Sequence, residues 1–413
     1  MKTMNPSHTK SLILAIASIS AVGPAATAMT PEEMMGYLPK HLEKISPYSW
    51  ETPQRWLYLR KRGNFTDKEI DIICKASKVI GVSGPLDKFK ARYPNRLYGV
   101  GYMNLEKDYD SKGLKKGHFK TNPEHYLYQA EGKPVVGGDC PYYNLLDPGM
   151  RQWWIDEAGK QIQSGAKGQS FFIDALVKAL DCGRRGGKHV DHAGKLVWKD
   201  YRGKGLKPLL AQCRDEYADE VVLTGNFLRV NRPGGNMPYV MDYIHCAYIE
   251  SFERPGGGYV ANAHKGISLI QQAAKAGKMI RLSVSAKRPT PVKELTLAQK
   301  QDKARKAMPE FWNKLQPEEQ NELAEIYAYF DFKLAMFLIA AGEHSYLKYS
   351  VQPLANNAGT ELFKNVQPFP EWSMPLGPPQ EDGKRNGDVW RRRFKHVEVV
   401  LDLGKGTCEF IKQ

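Results

Sequence analysis

Two acids stand where short apolar runs end. Asp174 closes Ser170-Phe171-Phe172-Ile173-Asp174, and Glu250 closes Ala247-Tyr248-Ile249-Glu250. In an α/β barrel the C-terminal ends of the strands build the active site, so acids ending strands two apart would face one opening. Such a pair suits cleavage of a glycosidic bond: one carboxylate attacks carbon or activates water, and the other protonates the departing oxygen. Blander readings compete. Asp174 could cap a helix starting at Ala175-Leu176, and Glu250 could be a solvated loop acid paired with Arg254.

Further strand-end residues could contact a sugar by ring stacking or by hydrogen bonds to hydroxyl and anionic groups. Tyr58 and Arg60 end the first strand, Ser83 the second and Tyr102 the third; Asn226 and Arg229 follow the fifth. Tyr248 lies in the sixth, Arg281, Ser283 and Ser285 in the seventh, and Glu343, His344 and Tyr346 around the eighth. Asn226 is favoured, because an amide ending Val-Val-Leu-Thr-Gly has little packing reason to be there. Asp139 reads as a turn residue and Asp147 as a helix cap. His189 and His192 have H-x-x-H spacing, but in a Gly-rich segment without a clear third ligand. No metal site and no cofactor are expected.

The elements that must position these residues alternate. Strand-like runs at 55–60, 78–83, 96–103, 170–174, 221–226, 247–250, 279–285 and 343–347 are separated by helical patterns. The first helix starts with a capping box, Thr66 and Glu69. Helices are also expected at 85–93, from Asp147-Pro148 to Ile162, at 206–218, 264–276 and 319–341. Eight strands with crossover helices predict a (β/α)8 TIM barrel with long strand-end loops. A doubly wound sheet would show a Gly-rich phosphate loop after its first strand, whereas Lys61-Arg62-Gly63-Asn64-Phe65 stands there. A Pro-rich stretch from 367 to 380 leads to a small C-terminal β-hairpin, Val389 to Phe394 and Val397 to Leu403. The expected organisation is residues 1–28 as leader, 29–50 as lead-in, 51–366 as barrel and 367–413 as the C-terminal segment packed on it.

Phe171-Phe172-Ile173-Asp174-Ala175-Leu176 resembles the strand-4 segment of glycoside-hydrolase-like TIM barrels, and Tyr248-Ile249-Glu250-Ser251-Phe252 resembles their strand-6 segment. The chain is most similar to a provisional family of glycoside hydrolases, the fifteenth in the hypothetical series, over roughly residues 50 to 403. In related barrels that act on α-glycosides, the strand-4 Asp is the nucleophile and the strand-6 acid is the general acid/base. The resemblance therefore implies these roles for Asp174 and Glu250. Asn226 occupies strand 5, where the α-amylase arrangement would need an acid.

Composition narrows the class. The chain has 413 residues, 42% hydrophobic and 25% charged, which excludes disorder and coiled coil as overall classes. Lys2 and Lys10, the apolar run Leu12 to Val22 and Ala26-Thr27-Ala28 read as a secretory leader, implying a secreted or periplasmic protein without stable membrane insertion. A net charge of +15 favours polyanions, and export makes an acidic polysaccharide the expected partner rather than nucleic acid. The six cysteines show no C-x-x-C; Cys74 reads as a buried free thiol, and Cys182 with Cys213 as the pair most open to bridging. Two other functions compete with hydrolysis. A polysaccharide lyase would need a Tyr, His or Lys base, and a non-catalytic glycan-binding or envelope protein would keep the aromatics alone. Gly81-Val82-Ser83-Gly84-Pro85 lacks the G-x-S-x-G of a serine hydrolase.

Overall fold

The computed structural model describes residues 48–59, 65–82, 86–107, 118–137, 140–164, 169–176, 189–195, 201–230, 238–351 and 366–413. The leader, most of the lead-in, Arg60, Ser83, Asp139 and Cys182 lie outside them. The core sheet consists of β1 (Trp56–Leu59), β2 (Val79–Val82), β3 (Leu97–Asn104), β4 (Ser170–Asp174), β5 (Val222–Asn226), β6 (Cys246–Glu250), β7 (Met279–Ser285) and β8 (Ser345–Ser350). These strands are parallel and neighbour one another in chain order. A parallel bridge between Arg55 and Leu347 brings the last strand onto the first. The expected (β/α)8 barrel is therefore the fold.

Crossover helices take their places for local reasons. In α1 (Asp67–Ala76) the Thr66 hydroxyl accepts from Glu69 N at 3.2 Å, while Glu69 Oε2 accepts from Thr66 N at 2.8 Å, so the capping box forms. The same helix buries Ile70, Ile73 and the free thiol of Cys74. Helices α2 (Asp87–Arg92), α3 (Pro148–Ser164), α4 (Lys207–Tyr217) and α5 (Tyr259–Lys275) follow. Asp147 caps α3 as expected, its Oδ1 accepting from Met150 N at 2.7 Å. On α4, Cys213 is buried and free. Among the described residues no helix is long and apolar enough to cross a membrane.

Strand alternation fills the barrel in layers. The lowest contains Trp56, Val79, Leu97, Val222, Cys246, Met279 and Tyr346. Two residues further along the strands come Tyr58, Gly81, Gly99, Phe172, Thr224, Tyr248, Arg281 and Lys348, and the mouth layer follows with Asp174, Asn226, Glu250, Ser283 and Ser350. Strand β3 would break this order without its bulge. Strict alternation from Leu97 would send Gly101 inward and Tyr102 outward, but the register with β4 shifts between Gly99 and Gly101. Gly101 then faces the helices, where an added Cβ would meet the Phe171 ring at 2.8 Å, and Tyr102 joins the mouth layer.

Three regions differ from the sequence-based expectation. The apolar stretch 319–341 is two helices, α7 (Pro317–Tyr327) and α8 (Phe330–Ala340), preceded by α6 (Leu297–Ala307) in the basic insertion. Lys303 on α6 explains the break, because its Nζ donates to Ala328 O at 2.7 Å and to Asp331 Oδ2 at 2.8 Å, capping a carbonyl at the interruption. Helix α5 begins at Tyr259, after Gly258 at φ +68°, rather than at His264. The C-terminal hairpin belongs to a four-stranded antiparallel sheet, β9 (Lys384–Asn386), β10 (Val389–Arg393), β11 (Val397–Asp402) and β12 (Thr407–Lys412). One outer strand carries no apolar signal: β9 reads Lys-Arg-Asn and is fully exposed.

Helix α8, apolar nearly all round, is wedged between the barrel and this sheet. The buried Arg392 ties the seam. Its guanidinium donates to Leu338 O at 2.8 Å, to Ala341 O and to Glu381 O at 3.1 Å, satisfying carbonyls at the C-terminus of α8. Arg392→Met should lower stability by roughly 2–4 kcal/mol, because buried carbonyls lose charge-assisted donors. An unchanged urea midpoint would show that apolar contact alone holds the seam.

Candidate functional site

The ends of β3, β4, β5 and β6, with Arg229 just past β5, bring five of the singled-out residues into one hydrogen-bonded chain. Asp174 is the last residue of β4 and points into the mouth by alternation from Ser170 and Phe172. Three donors converge on its carboxylate: Tyr102 OH on Oδ2 at 2.5 Å, and Asn226 Nδ2 at 2.8 Å and Ala175 N at 2.7 Å on Oδ1. The two oxygens of a carboxylate have lone pairs enough to accept all three. The amide that sequence reasoning favoured at position 226 thus has a partner, and its packing cost is met.

The chain continues across the mouth. Asn226 Oδ1 accepts from Arg229 Nη2 at 3.3 Å, and the same nitrogen donates to Glu250 Oε2 at 2.6 Å. Glu250 ends β6, with its side chain 54% exposed beside an Arg229 that is 18% exposed. Arg254, the partner considered for Glu250 on chain proximity, instead lies 3.4 Å from Glu253. Arg229, Glu250, Ser251, Arg254 and Asn262 border a cavity of about 220 Å³ between the mouth and α5.

Backbone strain marks the same places. Ala175, Leu228 and Ser251 adopt φ of 59°, 63° and 57°. These are left-handed conformations that side chains other than Gly, Asn and Asp seldom adopt. Two of them directly follow the carboxylates, and such strain collects at sites where the surroundings fix a functional side chain.

Beneath the mouth the floor is aromatic. Tyr102 stacks on Phe172 with ring centroids 5.8 Å apart, Phe172 meets Tyr248 edge-on at 5.1 Å, and Tyr248 meets Trp56 at 5.6 Å. Burial pushes the Tyr248 phenol up to about 12, with the nearby Glu250 charge acting in the same direction. Tyr58 and Tyr102 are the exposed aromatics of the mouth, at 36% and 46%. Arg281 lies one layer below Ser283, and Ser283 pairs in register with Glu250. Sequence reasoning missed Trp56, Phe172, Lys348 and Ser350. The signal that could have found the last two is the alternation of Tyr346-Leu347-Lys348-Tyr349-Ser350, which places 346, 348 and 350 on one face.

His344 is a correction. It was expected at the working end of strand 8, but it precedes Ser345, the first residue of β8, and so sits at the N-terminal mouth. Its ring packs against Tyr48 at 5.5 Å, and burial lowers its pKa. Glu343 and Tyr346 belong to that lower end as well. His189 is buried and His192 packs against Tyr128 at 5.2 Å; among the described residues no group of three His, Cys, Asp or Glu is placed to hold a metal.

The two ends of the carboxylate chain, Tyr102 and Glu250, are exposed, where ion pairs and hydrogen bonds contribute little to folding. Tyr102→Phe and Arg229→Met should each change the unfolding free energy by less than about 1 kcal/mol. A loss above about 2 kcal/mol in urea titrations would assign the network a structural role.

No curated protein matches the chain. Among solved structures, the galactosidase domain of the alpha-galactosidase-sucrose kinase AgaSK is 12% identical with a TM-score of 0.38, covering 86% of this chain and 46% of that one. The GH36 alpha-galactosidase AgaA from Geobacillus stearothermophilus is 10% identical with a TM-score of 0.36, covering 90% and 50%. A cycloisomaltooligosaccharide glucanotransferase from Paenibacillus sp. is 10% identical with a TM-score of 0.39, covering 56% and 38%. The chain spans half or less of the length of these structures. Residues 98–398 match the profile of hypothetical glycosyl hydrolase family 15, a stretch that includes both acids at the barrel mouth, and the chain belongs to that family.

Proposed function

We propose that this chain is an exported glycoside hydrolase that cleaves a polysaccharide with Asp174 and Glu250. The observation that carries the reading is the unequal setting of the two acids. Asp174 is gripped by three donors, which suits a nucleophile or a base that activates water. Glu250 is half-exposed and, among the described residues, bound through Oε2 alone, which suits a group that must reach a leaving oxygen and exchange a proton with water. Acids placed in unlike surroundings are how one fold divides the two roles.

The steps follow from that division. A glycosidic bond lying over Tyr102 and Asn226 would present its anomeric carbon to Asp174. As the bond lengthens, positive charge grows on the sugar ring and the Asp174 carboxylate stabilises it. Glu250, released from Arg229 and protonated from solvent, gives that proton to the departing oxygen, and Arg229 keeps its second partner, the Asn226 amide. Water completes the reaction with Glu250 or Asp174 accepting its proton, according to whether the carboxylates act about 5 Å apart or with room for water between them. Tyr58, Tyr102, Asn226, Arg229, Tyr248, Arg281 and Ser283 are the substrate contacts in this scheme. The cationic surface and the leader-like N-terminus favour an acidic polysaccharide met outside the cytoplasm.

The test uses neutral, uronate-containing and sulfated polysaccharides with a reducing-end assay. Asp174→Asn and Glu250→Gln should each lower the rate by roughly 10³-fold while leaving the circular dichroism spectrum unchanged. Equal rates in wild type and variants would refute the assignment. A product absorbing in the ultraviolet would indicate a lyase, and binding without turnover a silent glycan-binding protein.

A further inference from the structure

Among the described residues, a buried cation without a counter-charge lies in the floor of the mouth. Arg281 is 5% exposed, and its closest described partner is the Trp56 ring, 4.3 Å from the guanidinium carbon. Its Nε is buried without a hydrogen-bond partner. Other buried arginines are treated differently. Arg392, at 3%, donates to three carbonyls, and Arg214, at 6%, pairs with Asp215 at 2.6 Å although its Nη1 is also buried without a partner. A cation–π contact offsets only part of the cost of taking a guanidinium out of water. Burial accordingly lowers the Arg281 pKa from its ordinary value.

The surroundings show where a counter-charge could come from. Lys348 Nζ lies 5.1 Å from the same Trp56 ring, so two cations share one indole. The acids of the layer above are engaged elsewhere, Asp174 by Tyr102, Asn226 and Ala175, and Glu250 by Arg229. On β7 and β8 the mouth layer directly above the cations is small: Ser283 and Ser350, with their hydroxyls 3.2 Å apart. Among the described residues, Arg281 and Lys348 thus lie over Trp56, with serines above them and Glu250 in register with Ser283.

We propose that Arg281, with Lys348 beside it and Ser283 above, is the seat for an oxyanion substituent, a carboxylate or a sulfate ester, on the sugar that reacts between Asp174 and Glu250. The guanidinium fork fits either oxyanion through two parallel hydrogen bonds, and the anion supplies the charge that no described residue gives Arg281. This deepens the hydrolase reading and rests on it for the position of the sugar. It makes an acidic sugar the preferred occupant, with the anionic group pointing to the barrel floor.

The test is binding rather than turnover, so that it stands apart from hydrolysis. Full-length Asp174→Asn protein is titrated calorimetrically with galacturonic acid, glucuronic acid, their neutral parents galactose and glucose, and inorganic sulfate. At least one uronate or sulfate should bind tenfold or more tightly than the neutral sugars. Adding Arg281→Met should remove that preference, and Arg281→Lys should keep part of it. Sulfate binding with no uronate preference would identify a sulfate ester as the substituent, and the reverse a carboxylate. Arg281→Met alone should unfold at the same temperature as wild type or higher, because an unpaired buried charge is gone. Equal binding of anionic and neutral sugars, anion binding that survives Arg281→Met, or no anion binding at all would overturn the seat. So would a marked fall in the unfolding temperature of both Arg281 variants, which would make the residue structural. Hydrolysis of neutral glycans without anion preference would leave the hydrolase reading intact while removing the seat; anion binding through Arg281 without any hydrolysis would do the opposite.

Discussion

The hydrogen bonds that converge on Asp174 are the constraint on which the site depends. They join three separate parts of the barrel: Tyr102 from β3, Asn226 from β5 and the backbone just past β4. Each donor needs its own device to reach the carboxylate. Tyr102 needs the bulge at Gly99 and Gly101, which turns it inward. Ala175 N needs a left-handed backbone at φ 59°. Asn226 needs the tight inner packing of β5, whose five residues are all buried. Strain and irregularity are thus spent where one side chain has to be held in one orientation.

Charge is distributed by layer in the same barrel. Apolar residues fill the bottom, cations and aromatics the middle, and acids the mouth. Arg229 and Asn226 link the acids, so three hydrogen bonds in series join Glu250 to Asp174. Opposite the mouth, the C-terminal sheet and α8 stiffen the wall behind β7 and β8, with Arg392 as the polar tie. Site and scaffold therefore use arginine in different ways, one saturated with carbonyls and one left waiting for an anion.

Much of the fold was legible because buried parallel strands are short apolar runs and crossover helices are amphipathic. The ends of β4 and β6 were clear for the same reason: an acid after Phe171-Phe172-Ile173 or after Tyr248-Ile249 has no place in a core. The end of β8 was not, because its inward face carries Lys348 and Ser350, which interrupt the hydrophobic pattern. The polar cluster Glu343-His344 at the other end then passed for a working terminus. Arg254 looked like the partner of Glu250 by chain distance, yet Arg229 reaches it from the neighbouring strand-end loop, a choice made in space. The break between α7 and α8 was hidden because both flanks are apolar and the capping cation, Lys303, comes from a different helix.

The central claim is that Asp174 and Glu250 act on one bond in one cleft. The most direct measurement is a crystal structure of the Asp174→Asn protein with an oligosaccharide bound. The account predicts a glycosidic oxygen within hydrogen-bond reach of Glu250 and the adjoining anomeric carbon about 3–3.5 Å from residue 174. An oligosaccharide bound productively elsewhere on the barrel, or touching one of these residues while the other faces away, would contradict it.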